Sequence, residues 1–135
     1  MNRRLDWTEL FFSSAGRQSR APFVVCGAVL LLAAWLYEAV APPPARWITG
    51  WLVYPFLVFC AVSITAKRLH DRGRNGWWAA PLLIALMVLW NPSAPSVARV
   101  LSSLVLIWGA IELCLMPSEP GANRYGPAPL QTAAA

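Results

Sequence analysis

Histidine occurs once, aspartate and glutamate together only six times, and charged residues make up just 13% of the 135-residue chain. An ordinary soluble domain carries about 25% charged residues. So few polar groups cannot coat a soluble surface, and they leave little from which to assemble a catalytic constellation. Cysteine is scarce as well: Cys26, Cys60 and Cys114 all fall inside apolar runs, an odd number without CxxC spacing. That pattern excludes a disulfide framework and a cysteine zinc site, leaving three small buried hydrophobes. One histidine beside one aspartate supplies too few ligands for a structural metal, so neither metal nor cofactor is expected. Internal repeats are absent, and no glycine-rich stretch carries the GK[ST] ending of a phosphate loop.

Apolar surface is what the chain has in excess. Hydrophobic residues reach 58%, against the roughly 45–50% typical of soluble domains. The surplus must face lipid. Residues 21–41, APFVVCGAVLLLAAWLYEAVA, meet the ~20 residues needed to cross the hydrocarbon layer. The run starts late and ends without a small-residue cleavage site, so it reads as a span and not as a cleaved leader. Residues 47–66 make a second span with Trp47, Trp51 and Tyr54 at its start, as in an aromatic belt, and Pro55 set to kink it. Between them Pro42-Pro43-Pro44 cannot continue the first helix. Residues 77–90 are short: fourteen residues reach about 21 Å, less than a ~30 Å core. Either they form a span completed through residue 93, or they re-enter. Residues 97–116 supply the last span.

The resulting expectation is an all-α, multi-span membrane protein. Four transmembrane helices, at about 21–41, 47–66, 77–93 and 97–116, follow a short interfacial amphipathic helix within residues 1–20. That helix would place Trp7, Leu10 and Phe11 on one side. Residues 117–135, rich in Pro, Gly and Ala, are expected to be a flexible cytoplasmic tail.

Charge orients the chain. Arg3, Arg4, Arg17 and Arg20 precede the first span, and Lys67, Arg68, Arg72 and Arg74 lie between the second and third, whereas the proline connection holds only Arg46. Cytoplasmic segments collect Lys and Arg, so the N-terminus and the central hinge belong on the cytoplasmic side of a bacterial inner membrane. The C-terminus stays open, because four spans or a re-entrant third segment both give nine cations inside and two outside. A net charge of +5 that flanks apolar runs points to anionic headgroups as partners and not to nucleic acid.

Lys67-Arg68-Leu69-His70-Asp71-Arg72-Gly73-Arg74-Asn75-Gly76-Trp77-Trp78 is the densest polar stretch. His70-Asp71 invites an acid–base reading, but neighbours in sequence do not face each other on a helix and no nucleophile stands beside them. A polar hinge that ties helix ends and grips phosphates is the simpler reading. Glu38, Arg99 and Glu112 are the candidate intramembrane charges, although all three lie near span ends, where snorkelling suffices. Arg99 could pair with Glu38 if both stand on the outer side.

Three motifs carry a resemblance: Gly16-Arg17-Gln18-Ser19-Arg20 is similar to a GRxSR signature, the hinge to RRLHDxGxSGWW, and Gly121-Ala122-Asn123-Arg124-Tyr125-Gly126-Pro127 to a G-x-N-x-Y-G-x-x-P ending. Lys67 stands for the usual arginine, Asn75 for the usual serine, and the motif proline is Pro129. In this order they resemble the domain-of-unknown-function 805 family of small bacterial inner-membrane proteins. The resemblance implies a multi-span protein of unassigned activity and transfers no catalytic or binding residue. If the motifs meet, Arg17, Arg20, Arg68, His70, Asp71, Asn123 and Tyr125 form one cytoplasmic cluster, with Asp71 paired to an arginine. The expected function is a non-enzymatic scaffold or lipid- or small-ligand-binding module, with a second copy of the chain (a homo-oligomer) or another membrane protein as candidate partners. The alternatives are a small transporter or channel, and an enzyme acting on headgroups through His70 and Asp71.

Overall fold

The computed structural model describes residue 11 and residues 16–127. The interfacial helix expected in residues 1–20 lies almost wholly outside the described residues. The remainder is all-helical: α1 (Arg20–Val40), α2 (Pro43–Asp71), a 3₁₀ turn (Gly76–Trp78), α3 (Ala79–Trp90) and α4 (Ser96–Ala110), which runs on as a π-helical turn over Ile111–Leu115. Among the described residues three helices are long and apolar enough to cross a membrane: Arg20–Val40, Pro43–Asp71 and Ser96–Leu115. The apolar segment Gly76–Trp90 is shorter, as its residue count foretold.

Two boundaries differ from expectation. The proline run does not form a loop. Only Ala41 and Pro42 connect the helices, while Pro43 and Pro44 open α2. Proline suits a first turn because its missing N–H has no intrahelical partner there. At the other end α2 absorbs half of the hinge, continuing through Lys67–Asp71. Its 29 residues make about 43 Å at about 1.5 Å per residue, well beyond a ~30 Å hydrocarbon layer. The basic last turns therefore project past the apolar part of the bundle. The helix is continuous through Pro55.

Packing is concentrated at the hinge end. Leu69, Ala79, Leu82 and Leu113 form a buried cluster, with Phe23, Val105 and Leu106 packed against it. Elsewhere the helices turn large apolar side chains outward, among them Val25, Leu32, Trp35, Leu52, Ile84 and Leu104. Such faces are ordinary only where the surroundings are lipid. The α3–α4 pair approaches closely because Gly109 has no side chain: a Cβ there would collide with Leu82 Cδ2. Small residues let helix backbones close in the absence of a hydrophobic drive between them.

Gly109→Val should therefore cost about 1–3 kcal/mol through overpacking against Leu82, read as a lower melting temperature in detergent. Gly27→Ala serves as the control, because a Cβ at Gly27 meets nothing within 4 Å. Equal melting temperatures for the two variants would refute this account of the α3–α4 contact.

Candidate functional site

α2 ends at a stop written in its sequence. Gly73 adopts φ +66°, a conformation that glycine takes without a Cβ penalty. The Arg74 N–H then donates to the Leu69 carbonyl (2.9 Å) and the Gly73 N–H to that of His70 (3.0 Å). These are the two bonds of a Schellman cap. The chain turns, Asn75 caps the 3₁₀ turn by accepting from the Trp77 N–H (3.2 Å), and α3 departs. Arg68, His70, Asp71, Arg72 and Arg74 are thereby fanned around one helix end.

The centre of that fan is Asp71, which is fully buried. Its Oδ1 accepts from Arg17 Nε (3.0 Å), and its Oδ2 from Arg68 Nη1. All three side chains are at most 1% exposed. Each guanidinium then spends its other donors on backbone carbonyls near the chain's far end. Arg17 reaches the carbonyls of Glu119 (2.6 Å) and Gly121 (2.6 Å). Arg68 reaches those of Leu113 (2.8 Å) and Met116 (2.6 Å). Arg20 donates to the Leu115 carbonyl (3.3 Å) and Arg72 to that of Pro117 (2.7 Å).

Two of these acceptors, the Leu113 and Leu115 carbonyls, belong to the last turn of α4, and the Met116, Pro117, Glu119 and Gly121 carbonyls follow in the segment just beyond it. The last turn of a helix leaves its carbonyls without intrahelical donors, and they carry the negative end of the dipole. The π-helical turn Ile111–Leu115 ends α4 directly beside the hinge; Arg68 and Arg20 cap it in trans, and Arg72 and Arg17 hold the segment that follows it. Glu112, on that turn, is buried and accepts from Arg74 Nε (3.1 Å) and Arg72 (3.3 Å). Arg74 also lies 6.0 Å from the Trp108 ring centroid.

Residues 117–127 are thus no loose tail: the expected flexibility does not extend to them. Glu119 N–H donates to the Asp71 carbonyl (3.1 Å). Asn123 Nδ2 bridges the His70 carbonyl (3.0 Å) and Glu119 Oε2 (2.8 Å). Asn123 and Gly126 exchange both backbone bonds at 3.0 Å, closing a tight turn. That turn lays the Tyr125 ring on His70, with centroids 3.9 Å apart and planes within 9°.

All seven residues of the expected cluster consequently meet at one end of the bundle. Glu112, expected as an intramembrane charge, joins them. Glu38 and Arg99 do not, and the pairing suggested between them is not formed. Glu38 instead bonds Arg46 and Tyr54 at the opposite end, and Arg99 donates to the Pro92 carbonyl in the connection between α3 and α4. Sequence reasoning missed Glu119 and the carbonyls of 113–117. The signal for the carbonyls was available in principle, because a helix ending near a basic hinge presents acceptors that need donors.

Removing one partner of a buried pair strands the others, at a cost of about 3–5 kcal/mol. Asp71→Ala, which strands two guanidiniums, should lower the melting temperature sharply in detergent. Glu112→Gln should cost clearly less, because glutamine keeps an acceptor oxygen for the same guanidiniums and these are part-exposed (Arg74 is 46% exposed). Equal losses would refute the central place given to Asp71.

The uncharacterized protein YiiR of Escherichia coli (strain K12) is 35% identical over 77 residues, covering 52% of this chain and 53% of that protein. YiiR of Escherichia coli O157:H7 gives the same figures. The chain thus spans about half the length of these curated relatives. No solved structure matches. The family described as "Protein of unknown function (DUF805)" matches residues 11–127, a stretch that takes in the first two motifs, the third as far as Pro127, the four helices and the arginine-stitched end; the chain belongs to the DUF805 family.

Proposed function

We propose that the chain crosses a bacterial inner membrane four times, with both termini cytoplasmic, and that its arginine-rich end is a non-enzymatic binding surface for anionic lipid headgroups. The topology rests on where the last helix returns. Arg68 and Arg72 hold the end of α4 beside the end of α2. The segment Gly76–Trp90 therefore leaves the hinge end and Ser96–Leu115 comes back to it. A reach of about 24 Å for the shorter helix is accommodated by local bilayer thinning at modest cost. Basic residues gather at the end where the motifs meet, which favours the cytoplasm.

One observation carries the binding reading. Among the described residues, the carboxylates of this end are turned inward or half-buried: Asp71 and Glu112 are buried and Glu119 is engaged with Asn123. Arg20, Arg74 and Arg124 remain exposed. The rim is cationic while its anions are spent inside. A guanidinium grips phosphate bidentately, and each cation near an anionic surface contributes about 1 kcal/mol. The enzymatic alternative has less support: Asp71 is sealed between two arginines, and His70 lies under Tyr125. The transport alternative is likewise weakened, since Glu38 and Glu112 are both held in ion pairs.

A reporter fused after Ala135 that is active on only one side of the membrane should give a cytoplasmic signal, and a periplasmic one would refute the four-span topology. For the binding surface, phosphatidylglycerol added to the purified protein should raise its melting temperature more than phosphatidylcholine does. The double variant Arg20→Gln/Arg124→Gln should weaken phosphatidylglycerol binding by about thirtyfold, the equivalent of two cations near an anionic surface. Retention of the full response would count against the rim as the binding surface.

A further inference from the structure

The opposite end of the bundle carries a second polar group, set in a groove between the end of α1 and the first turns of α2. The groove is open to the surroundings, has a volume of about 580 Å³, and is lined by Glu38, Arg46, Trp47, Trp51, Tyr54 and Pro43, among others. Its volume falls within the range of small-molecule sites. The Glu38 carboxylate accepts from Arg46 Nη1 (2.5 Å) and from the Tyr54 hydroxyl. Arg46 makes no other side-chain hydrogen bond among the described residues, so most of its donors are unspent. Both members of the pair are part-exposed, at 33% and 28%. Trp47 and Trp51 are far more so, at 79% and 83%.

We infer that this groove holds the headgroup of a zwitterionic phospholipid such as phosphatidylethanolamine. The lipid's ammonium would lie on Glu38 and the tryptophan faces, and its phosphate on the free donors of Arg46. Four features select this occupant. The groove sits at a helix end with an aromatic belt, the depth at which headgroups lie. Carboxylate and guanidinium stand side by side, presenting one negative and one positive pole to a headgroup that carries one of each. Indole faces attract an ammonium cation. A headgroup with a net negative charge would instead bring its charge against Glu38 with no ammonium to offset it. The groove thus selects by charge pattern where the cytoplasmic rim selects by net charge. The two sites lie at opposite ends of the bundle, and neither inference depends on the other.

The test measures binding of phosphatidylethanolamine and phosphatidylglycerol to the full chain in detergent, by native mass spectrometry, for three proteins: the wild type, Glu38→Gln and Trp51→Leu. Glu38→Gln should weaken phosphatidylethanolamine binding by about tenfold, one ordinary charged contact, and leave phosphatidylglycerol unchanged. Trp51→Leu, at an exposed position whose loss does not threaten folding, should weaken phosphatidylethanolamine alone by a smaller factor. Wild-type protein that binds phosphatidylethanolamine no better than either variant overturns the inference. Should Glu38→Gln fail to fold, unchanged phosphatidylethanolamine affinity in Trp51→Leu overturns it by itself.

Discussion

A carboxylate buried between two guanidiniums sets the geometry of this molecule. Asp71 contacts Arg17, from the segment before α1, and Arg68, one helical turn back on α2. Desolvating three charges is expensive, and a buried ion pair is by itself weak evidence of stability. Here the residual cost is offset because both guanidiniums continue to backbone carbonyls, so that few of their donors are left unmet. The result is positional. An apolar substitute would fill the same volume but could not say which segment of chain belongs where. Fixing register is the best-attested use of such a buried polar network.

Arginine is required for this arrangement because of its shape. A lysine places one compact charge on a flexible stem, whereas a guanidinium spreads its donors in a rigid fork. Arg68 engages Asp71, the Ser118 hydroxyl and the carbonyls of Leu113 and Met116 with a single side chain. That is how one residue on α2 both neutralises its own neighbour and caps a helix more than forty residues away in the chain. The π-helical turn belongs to the same design. By widening the last turn of α4 it ends the helix where the hinge can reach its carbonyls, and it carries Glu112 to Arg72 and Arg74. Such turns are often found where a helix has been adjusted for function.

Much of this was legible in the residues and some was not. Apolar run length gave the helical class and most of the helix positions, because hydropathy acts over twenty residues and tolerates local error. The reading of Pro42–Pro44 as a connection failed for a local reason. Proline forbids the interior of a helix and favours its first turn, and only the register of the chain decides which applies. The co-location of Arg17, His70, Asp71 and Asn123 followed from the motifs and the demand that a buried aspartate find a cation. A helix ending near a basic hinge hints at acceptors there, but which carbonyls of residues 113–121 take part was not legible, since every residue possesses one. For the same reason residues 117–127 read as loose: their order comes from Arg17 and Asn123 bonding to backbone, which leaves no trace in composition.

The two ends of the bundle use the same residue types for opposite purposes. At the hinge, carboxylates are buried and satisfied several times over, and surplus guanidiniums ring the outside. In the groove at the far end one carboxylate and one guanidinium, Glu38 and Arg46, stand part-exposed beside unburied tryptophans. Four helices with so little core between them cannot derive their rigidity from apolar packing, because lipid competes equally well for their outward faces. Their rigidity must come from the polar stitching at the hinge. The far end is then free of structural duty. Its ion pair, bonded within one helical hairpin, can exchange partners with a headgroup without loosening the fold, which a pair at the hinge could not do.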